Sequence, residues 1–332
     1  MGKPLVSVII PAYNAEKLIL ETIESVRKQS YAPIEIIVVN DGSKDGTEAV
    51  LAPLFRERRI RYITQENQGQ AAARKNGFSV SKGTYISFLD ADDLIAPEKI
   101  AVQVAHMEQH QKCGVCYSDI YHFWHHQPNV MLKKKLDYPS GSIFDKLILN
   151  NVIQVMTALI RRDVLERYGM PGAGFRRSDD WYLWLNLAYH GVQFCFLNRV
   201  LAFQRRQQEG TLSDQPTYFK ETAETNLRVY NDYSKILSEE EKKKYNFDAL
   251  VNFWRYRRAI GYVILGDKAN AKMALAQFQA TSGKDTLKKL FLATFIAIIP
   301  TKIFGKLILL VRESKKRNSF RVVKNPEVTL PV

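Results

Sequence analysis

Cysteine is scarce, with three in 332 residues, too few for a disulfide framework. The N-terminus offers no signal peptide: Met1-Gly2-Lys3-Pro4 leads straight into an apolar stretch of about seven residues, too short for a signal h-region. These two absences together set the expectation of a reducing compartment. Two nucleotide-binding signatures are missing as well. No Gly-x-Gly-x-x-Gly follows the first strand-like segment, which excludes the dinucleotide-binding dehydrogenase fingerprint, and no Gly-Lys-Ser/Thr P-loop occurs anywhere. Nor is there an internal repeat.

Apolar material is plentiful. The chain is 46% hydrophobic and 11% aromatic, which supports a sizeable core and excludes a disordered chain. The net charge of +14 is unevenly spread, for residues 284–324 carry eleven Lys or Arg against Asp285 and Glu313, or +9 of the total. The charge therefore describes the tail and not the fold as a whole.

Short apolar strands alternate with amphipathic helices through the first half. Strands are expected at 6–10, 35–39, 61–63 and 85–89, with helices at 15–29, 45–56 and 69–80 between them. Continuous apolar strands separated by helices predict a parallel, doubly wound α/β sheet covered on both faces. Strand-like stretches follow at 113–123, 155–160 and 192–205, with a helix at 179–189. Beyond about 215 the pattern is helical, at 217–236, 239–265 and 267–281. The expected division is 1–112 and 113–213 as two halves of one α/β domain, 214–283 as a helical extension and 284–332 as a basic apolar tail.

In parallel sheets ligands bind beyond the carboxyl ends of the strands. There the chain places Pro11-Ala12-Tyr13-Asn14, then Asn40-Asp41-Gly42-Ser43, then Asp90-Ala91-Asp92-Asp93. An aromatic ring, a carboxylate on a glycine-bearing turn and three clustered carboxylates should converge on one crevice. Asp45 also reads as a cap of the helix that follows, and Asp-Ala-Asp-Asp as a turn with an N-cap. Three carboxylates within four residues repel one another, however, and a cap needs one. A divalent cation such as Mg²⁺ or Mn²⁺, shared with substrate phosphates, relieves that cost. Arg74, on the helix after Gln68-Gly69-Gln70, is a second source of positive charge for a phosphate.

These motifs, Val6-Ser7-Val8-Ile9-Ile10-Pro11-Ala12-Tyr13-Asn14, Val39-Asn40-Asp41-Gly42-Ser43 and Phe88-Leu89-Asp90-Ala91-Asp92-Asp93, closely resemble those of the family 2 glycosyltransferases with the GT-A fold. The resemblance covers roughly residues 5–213. It implies a GT-A-type, mostly parallel doubly wound sheet with helices on both faces, followed by a C-terminal helical extension. It also implies a metal-dependent, inverting glycosyltransferase using a nucleotide-sugar donor, with uridine as the default base. Pro11, Tyr13 and Asp41 are then expected at the base, Asp90 near the ribose and metal, and Asp92 as the direct ligand of Mn²⁺ or Mg²⁺.

A second acidic pair opens the helix at 179: Arg177-Ser178-Asp179-Asp180-Trp181. Ser178 or Asp179 suits an N-cap, with Asp180 favoured by the helix dipole. In the family an acidic pair followed by an aromatic carries the catalytic base, which assigns that role to Asp180 with Asp179 as its neighbour. Two departures stand out. Lys75 occupies the place where the family often has Asn, and Arg205-Arg206-Gln207-Gln208-Glu209-Gly210 lacks the histidine many members carry near the metal and diphosphate.

Other signals carry less. Cys113, Cys116, His122, His125 and His126 invite a zinc reading, but positions three apart on a strand face opposite sides. Trp181 and Trp184 suit core packing at least as well as an acceptor sugar. Lys133-Lys134-Lys135 and Lys242-Lys243-Lys244 read as solvated. Residues 290–311 hold only Lys302 and Lys306 as charges and are long enough to span a bilayer. Those lysines and Pro300 argue instead for helices lying on an anionic membrane face. The expected partners are thus a nucleotide-sugar, a saccharide or lipid-linked acceptor and the inner membrane surface of a bacterium. Two other classes stay open: a non-catalytic protein of this fold, and a nucleic-acid binder. The second needs basic and aromatic residues interleaved on a folded surface, which the charged tail does not supply.

Overall fold

Val6–Ala12 forms β1, seven residues buried along their whole length, and Ile34–Asn40 forms β2 beside it. Between them α1 (Ile19–Arg27) turns Ile19, Ile23 and Val26 inward. The chain continues through α2 (Thr47–Arg56), β3 (Arg61–Thr64), α3 (Gln70–Val80), β4 (Tyr85–Phe88), β5 (Leu94–Ile95) and α4 (Lys99–Gln109). Then come β6 (Cys113–Trp124), β7 (Gln127–Lys133), α5 (Phe144–Leu147), a 3-10 turn at Val155–Thr157, β8 (Ala158–Arg161), α6 (Arg162–Tyr168), α7 (Asp179–Tyr189) and β9 (Gln193–Arg206). The later elements are α8 (Tyr218–Ser234), α9 (Glu239–Lys244), α10 (Phe247–Ile264), α11 (Lys268–Ala276), α12 (Gly283–Ile298) and β10 (Arg321–Val322). This computed structural model describes residues 2–133, 138–172, 174–175, 177–206, 215–298, 320–323 and 330–331.

The sheet runs β10-β7-β6-β8-β4-β1-β2-β3, with β9 paired to β6 and β5 to β9. Neighbours from β4 through β1 and β2 to β3 are parallel, as their apolar runs predict. At β8 the direction reverses, and β8 pairs antiparallel with both β4 and β6. This is the α/β architecture expected, with C-terminal helices following it. Both faces of β1 are covered. Val6, Val8 and Ile10 pack in one core with Ile19, Ile23 and Leu51. Ile9 points the other way, toward α3, where Gly77 permits close approach: a Cβ there would stand 2.4 Å from Ile9 Cγ2. Alternation along a strand produces this two-sided burial.

Two compact units result, residues 1–207 with 321–332 and residues 208–320. In the second, α10 and α11 bury Ala259, Val263, Ala271 and Leu275 together with Leu292 and Ile296 of α12. One long helix expected over 239–265 is two, because Asn246 takes a left-handed conformation with φ 49° between α9 and α10. Arg321–Val322 pairs antiparallel with β7, and Val323 and Leu330 pack beside Leu94 and Tyr121 in the first unit. Most of the apolar stretch 290–311, from residue 299 on, lies outside the described residues. Among the described residues no helix is long and apolar enough to cross a membrane.

The cysteine reading needs revision at one point. Cys113 and Cys195 are paired as a disulfide across 82 positions, because β6 and β9 lie side by side. Cys116 is free and buried.

Lys99 is fully buried, its Nζ 3.2 Å from Ser87 Oγ and 3.4 Å from the Ala158 carbonyl. Burial lowers its pKa to about 7, against a smaller opposing effect of Cys116. Unfolded lysine keeps its proton up to about pH 10.4. The unfolded chain therefore binds the extra proton between these values, and stability rises with pH across that window. Lys99→Met is expected to raise the melting temperature most at about pH 7 and below, with the gain shrinking toward about pH 10. Melts of both proteins across that range check it, and an equal shift at both ends would refute the assignment.

Candidate active site

The loops after β1 and β2 are bonded to each other. Asn14 N–H donates to Ser43 Oγ (3.0 Å), and Lys44 N–H donates to Asn14 Oδ1 (2.8 Å). Pro11 is buried at the end of β1, while the Tyr13 ring just beyond is 49% exposed. Asp41 is buried, and its carboxylate accepts from Gln65 Nε2 (2.7 Å), Gln68 N–H (2.9 Å) and Gly69 N–H (2.9 Å). Asp41 thereby fastens the loop between β3 and α3. Gly42 beside it has φ 72°, and a Cβ there would lie 2.9 Å from Asn67 N, so the close passage of that loop requires glycine. Asp45 acts at the start of α2, taking the Thr47 N–H and hydroxyl.

With its loop fastened, α3 presents Arg74 one turn in. The guanidinium is buried and bridges two carboxylates: Nη2 to Asp90 Oδ1 at 2.6 Å and Nη1 to Asp179 Oδ2. Burial alone would lower its pKa, but Asp179, Asp90 and Asp180 outweigh it and hold the group above its ordinary value. Arg74 thus joins the end of β4 to the start of α7 through its two carboxylate partners.

The three acids after β4 part company. Asp90 goes to Arg74. Asp93 is buried, accepts the Arg205 N–H at 2.8 Å, and has its pKa raised well above normal by burial and by the charges of Asp92 and Asp90. Asp92 stays half-buried, its carbonyl taking Arg205 Nε at 2.9 Å. Of the three carboxylates Asp90 faces a guanidinium, that of Arg74, whereas Asp93 is met by the backbone N–H of Arg205 and still feels the charges of Asp92 and Asp90.

At the start of α7, Ser178 is in a left-handed conformation and makes no side-chain cap. Asp179 turns to Arg74, while Asp180 accepts the Trp181 N–H (2.7 Å) on Oδ1 and Asn151 Nδ2 (3.1 Å) on Oδ2. Asp180 keeps partial solvent access. Loss of hydration first, and the Asp179 charge second, push its pKa up to about 6, against the opposing pull of Arg74 and the Trp181 N–H. Arg74, Asp179 and Asp180 line one small pocket with Val155, Met170 and Leu183. A half-desolvated carboxylate, ionised near neutrality and more basic than usual, thus lines this pocket within electrostatic reach of the strand-end acid Asp90.

Residues 7–169 match the family described as glycosyl transferase family 2. The putative teichuronic acid biosynthesis glycosyltransferase TuaG of Bacillus subtilis is 33% identical over 205 residues, 61% of this chain and 79% of that protein. The chain belongs to glycosyl transferase family 2. WfgD of Escherichia coli, a UDP-Glc:alpha-D-GlcNAc-diphosphoundecaprenol beta-1,3-glucosyltransferase, is 33% identical over 188 residues, 56% of the transferase described here and 71% of WfgD. Among solved structures, residues 1–349 of S. aureus TarS in complex with UDP-GlcNAc share the fold with a TM-score of 0.60, at 17% identity over 98% of each chain. Mannosyltransferase PcManGT of Pyrobaculum calidifontis, solved with GDP-Man and Mn²⁺, gives 0.56 at 18% identity over 96% of this transferase and 87% of PcManGT.

Two polar residues of the transferase escaped the sequence reading. Asn151 orients Asp180, and Arg205 ties the Asp92-Asp93 loop to Glu21 (2.6 Å) on α1. Asn151 sits in a loop without periodicity, so no local signal marks it. Arg205 figured in the sequence only as part of the segment that lacks the family's histidine; its guanidinium bonds Asp92 O, His125 and Glu21, and residues 207–210 lie outside the described residues. Trp181 and Trp184 are core, their indoles donating to the Leu147 and Ile153 carbonyls. The cysteines and histidines between 113 and 126 do not assemble: Cys116 is buried near Lys99, while His122 and His125 meet Arg206 and Arg205.

A base that must be ionised works only above its pKa. Transfer kcat/KM is therefore expected to fall about tenfold per pH unit below about 6, as Asp180 takes up its proton. Arg74→Gln removes the charge that holds Asp180 down, so the limb moves to higher pH. It also leaves Asp90 and Asp179 without their cation, at a cost of about 3–5 kcal/mol in stability. A pH–rate profile and a denaturation curve of the variant test both, and an unmoved limb counts against Asp180 as the group observed.

Proposed function

We propose that the transferase moves a sugar from a nucleotide-sugar donor, uridine-based by default, to a hydroxyl of a saccharide or lipid-linked acceptor, in cell-envelope glycan synthesis. The observation that carries this reading is the buried Arg74, which holds the strand-end acid Asp90 and the acidic pair of α7 in one crevice. The named substrates of WfgD and TarS support the choice of donor class.

The reaction is a single in-line displacement. The acceptor oxygen bonds to the anomeric carbon as the bond from that carbon to the donor diphosphate breaks, with inversion. The hydroxyl proton passes to Asp180, whose Oδ2 is oriented by Asn151. Asp179 cannot substitute easily, because its carboxylate is engaged by Arg74. Tyr13 offers an exposed ring to the base, and Pro11 and Asp41 shape the strand ends beneath it.

The donor set after β4 is all oxygen, which suits Mg²⁺ or Mn²⁺. Asp92 and Asp90, both half-buried, would hold such a cation, with substrate oxygens completing its shell. Such an ion, when bound, neutralises charge on the departing diphosphate.

A membrane-facing role fits the outer side of α12. Leu287, Leu290 and Phe291 are exposed by 68%, 59% and 54%, at helical spacing, with Lys284 and Lys288 also exposed on the same helix. An in-plane contact with anionic lipid matches this apolar and basic surface.

Three variants separate these roles. Asp92→Asn is expected to abolish transfer and the thermal stabilisation that Mn²⁺ plus nucleoside diphosphate confers; unchanged turnover would remove the metal role. Asp180→Asn should keep that stabilisation while transfer drops by roughly 10²–10⁴-fold. A panel of nucleotide-sugars scored the same way identifies the donor. Replacing Leu287, Leu290 and Phe291 together by Ser should release the chain from sedimenting anionic vesicles while leaving the buried Leu292 and Ile296 in place. A parent chain that fails to sediment with them refutes the membrane role.

A further inference from the structure

A second cluster of ligating side chains lies at the far end of the sheet from the crevice. Cys113 opens β6, and its carbonyl accepts Arg161 Nε at 2.9 Å. Arg161 is the register partner of Tyr85, the first residue of β4, whereas Asp90 lies past the last. Cys195 on β9 reaches the same place with its Cα 6.0 Å from that of Cys113. His106, in the last turn of α4, completes the group: one ligand atom from each of His106, Cys113 and Cys195 lies within 4.8 Å of the others.

We propose that the dithiol form of this cluster is a zinc site, with His106, Cys113 and Cys195 as three protein ligands and water as the fourth. Two thiolates and an imidazole are a soft and borderline set that selects Zn²⁺ over Mg²⁺ or Mn²⁺. Around tetrahedral zinc, with Zn–S about 2.3 Å and Zn–N about 2.0–2.1 Å, ligand atoms stand roughly 3.5–3.8 Å apart. Small side-chain rotations give that spacing from the arrangement present. Cys113 is buried, whereas His106 and Cys195 are half-exposed, which leaves a solvent side for entry and for the water. The C-terminal end of α4 adds a favourable dipole for a cation. His110 stacks on the His106 ring with centroids 4.1 Å apart and limits its rotation.

On binding, each thiol releases its proton to solvent and forms a Zn–S bond, and His106 donates a ring-nitrogen lone pair. No oxidation state changes. The disulfide between Cys113 and Cys195 is the competing form and removes both sulfurs from the site. The proposal is independent of the transfer reaction and stands or falls without it.

The test uses the full chain, reduced with a phosphine, stripped by chelator and titrated with Zn²⁺ and, separately, Co²⁺. One equivalent of Zn²⁺ should bind, and Co²⁺ should produce a thiolate-to-metal charge-transfer band that oxidation with diamide abolishes. Cys195→Ser should abolish the band and His106→Ala should weaken binding roughly tenfold or more. Cys116→Ser and Asp92→Asn should change neither. The cobalt spectrum of the unsubstituted chain reports sulfur ligation even if a variant fails to fold. Absence of stoichiometric zinc in the reduced chain, or its retention when Cys113 and Cys195 are both serine, overturns the proposal.

Discussion

A guanidinium removed from water must be surrounded by charge, and the position of Arg74 dictates much of the rest of the catalytic unit. Its two ion pairs join the end of β4 to the start of α7, segments 105 positions from Arg74 in one case and 16 in the other. Neither carboxylate is stable there alone, since an unpaired buried charge costs several kcal/mol. The α3 helix that carries Arg74 is itself aimed by Asp41, which gathers the preceding loop through Gln65, Gln68 and Gly69. One line of polar contacts therefore runs from the second strand to the acidic pair of α7.

This arrangement divides labour between two adjacent aspartates. Asp179 is spent as a counter-ion, and because it is charged and close it raises the affinity of Asp180 for a proton. Arg74 pulls the other way, and the balance leaves Asp180 basic enough to accept a hydroxyl proton yet ionised at neutral pH. Asn151 then fixes the carboxylate without neutralising it. Asp90 and Asp93 are likewise held differently, the first by the Arg74 guanidinium and the second by the Arg205 backbone N–H.

The second unit and the chain end show how little a charge count says about position. Residues of the basic segment contribute an edge strand to β7 and apolar contacts to the first unit's core. Within the second unit α12 uses one face for packing and leaves another apolar. Of the six histidines and three cysteines, the group that comes together includes Cys195 and His106, neither of which a local spacing rule selects.

By itself the sequence determined the elements whose signal is local. Apolar runs and 3.6-residue periodicity located β1, β2, β6, α3 and α7 to within a few residues, because burial of one face or both is written in consecutive side chains. The loops after β1, β2 and β4 were legible for the same reason: turn chemistry and carboxylate clustering lie within four to eight residues. Only the tertiary structure decided the partners. That Arg74 bridges Asp90 and Asp179, that Asn151 holds Asp180, that the Arg205 backbone N–H meets Asp93, and that Cys113 lies against Cys195 all follow from which strands are neighbours. Pairing across tens of residues depends on topology and on desolvation, and neither is encoded in the spacing of residues along the chain.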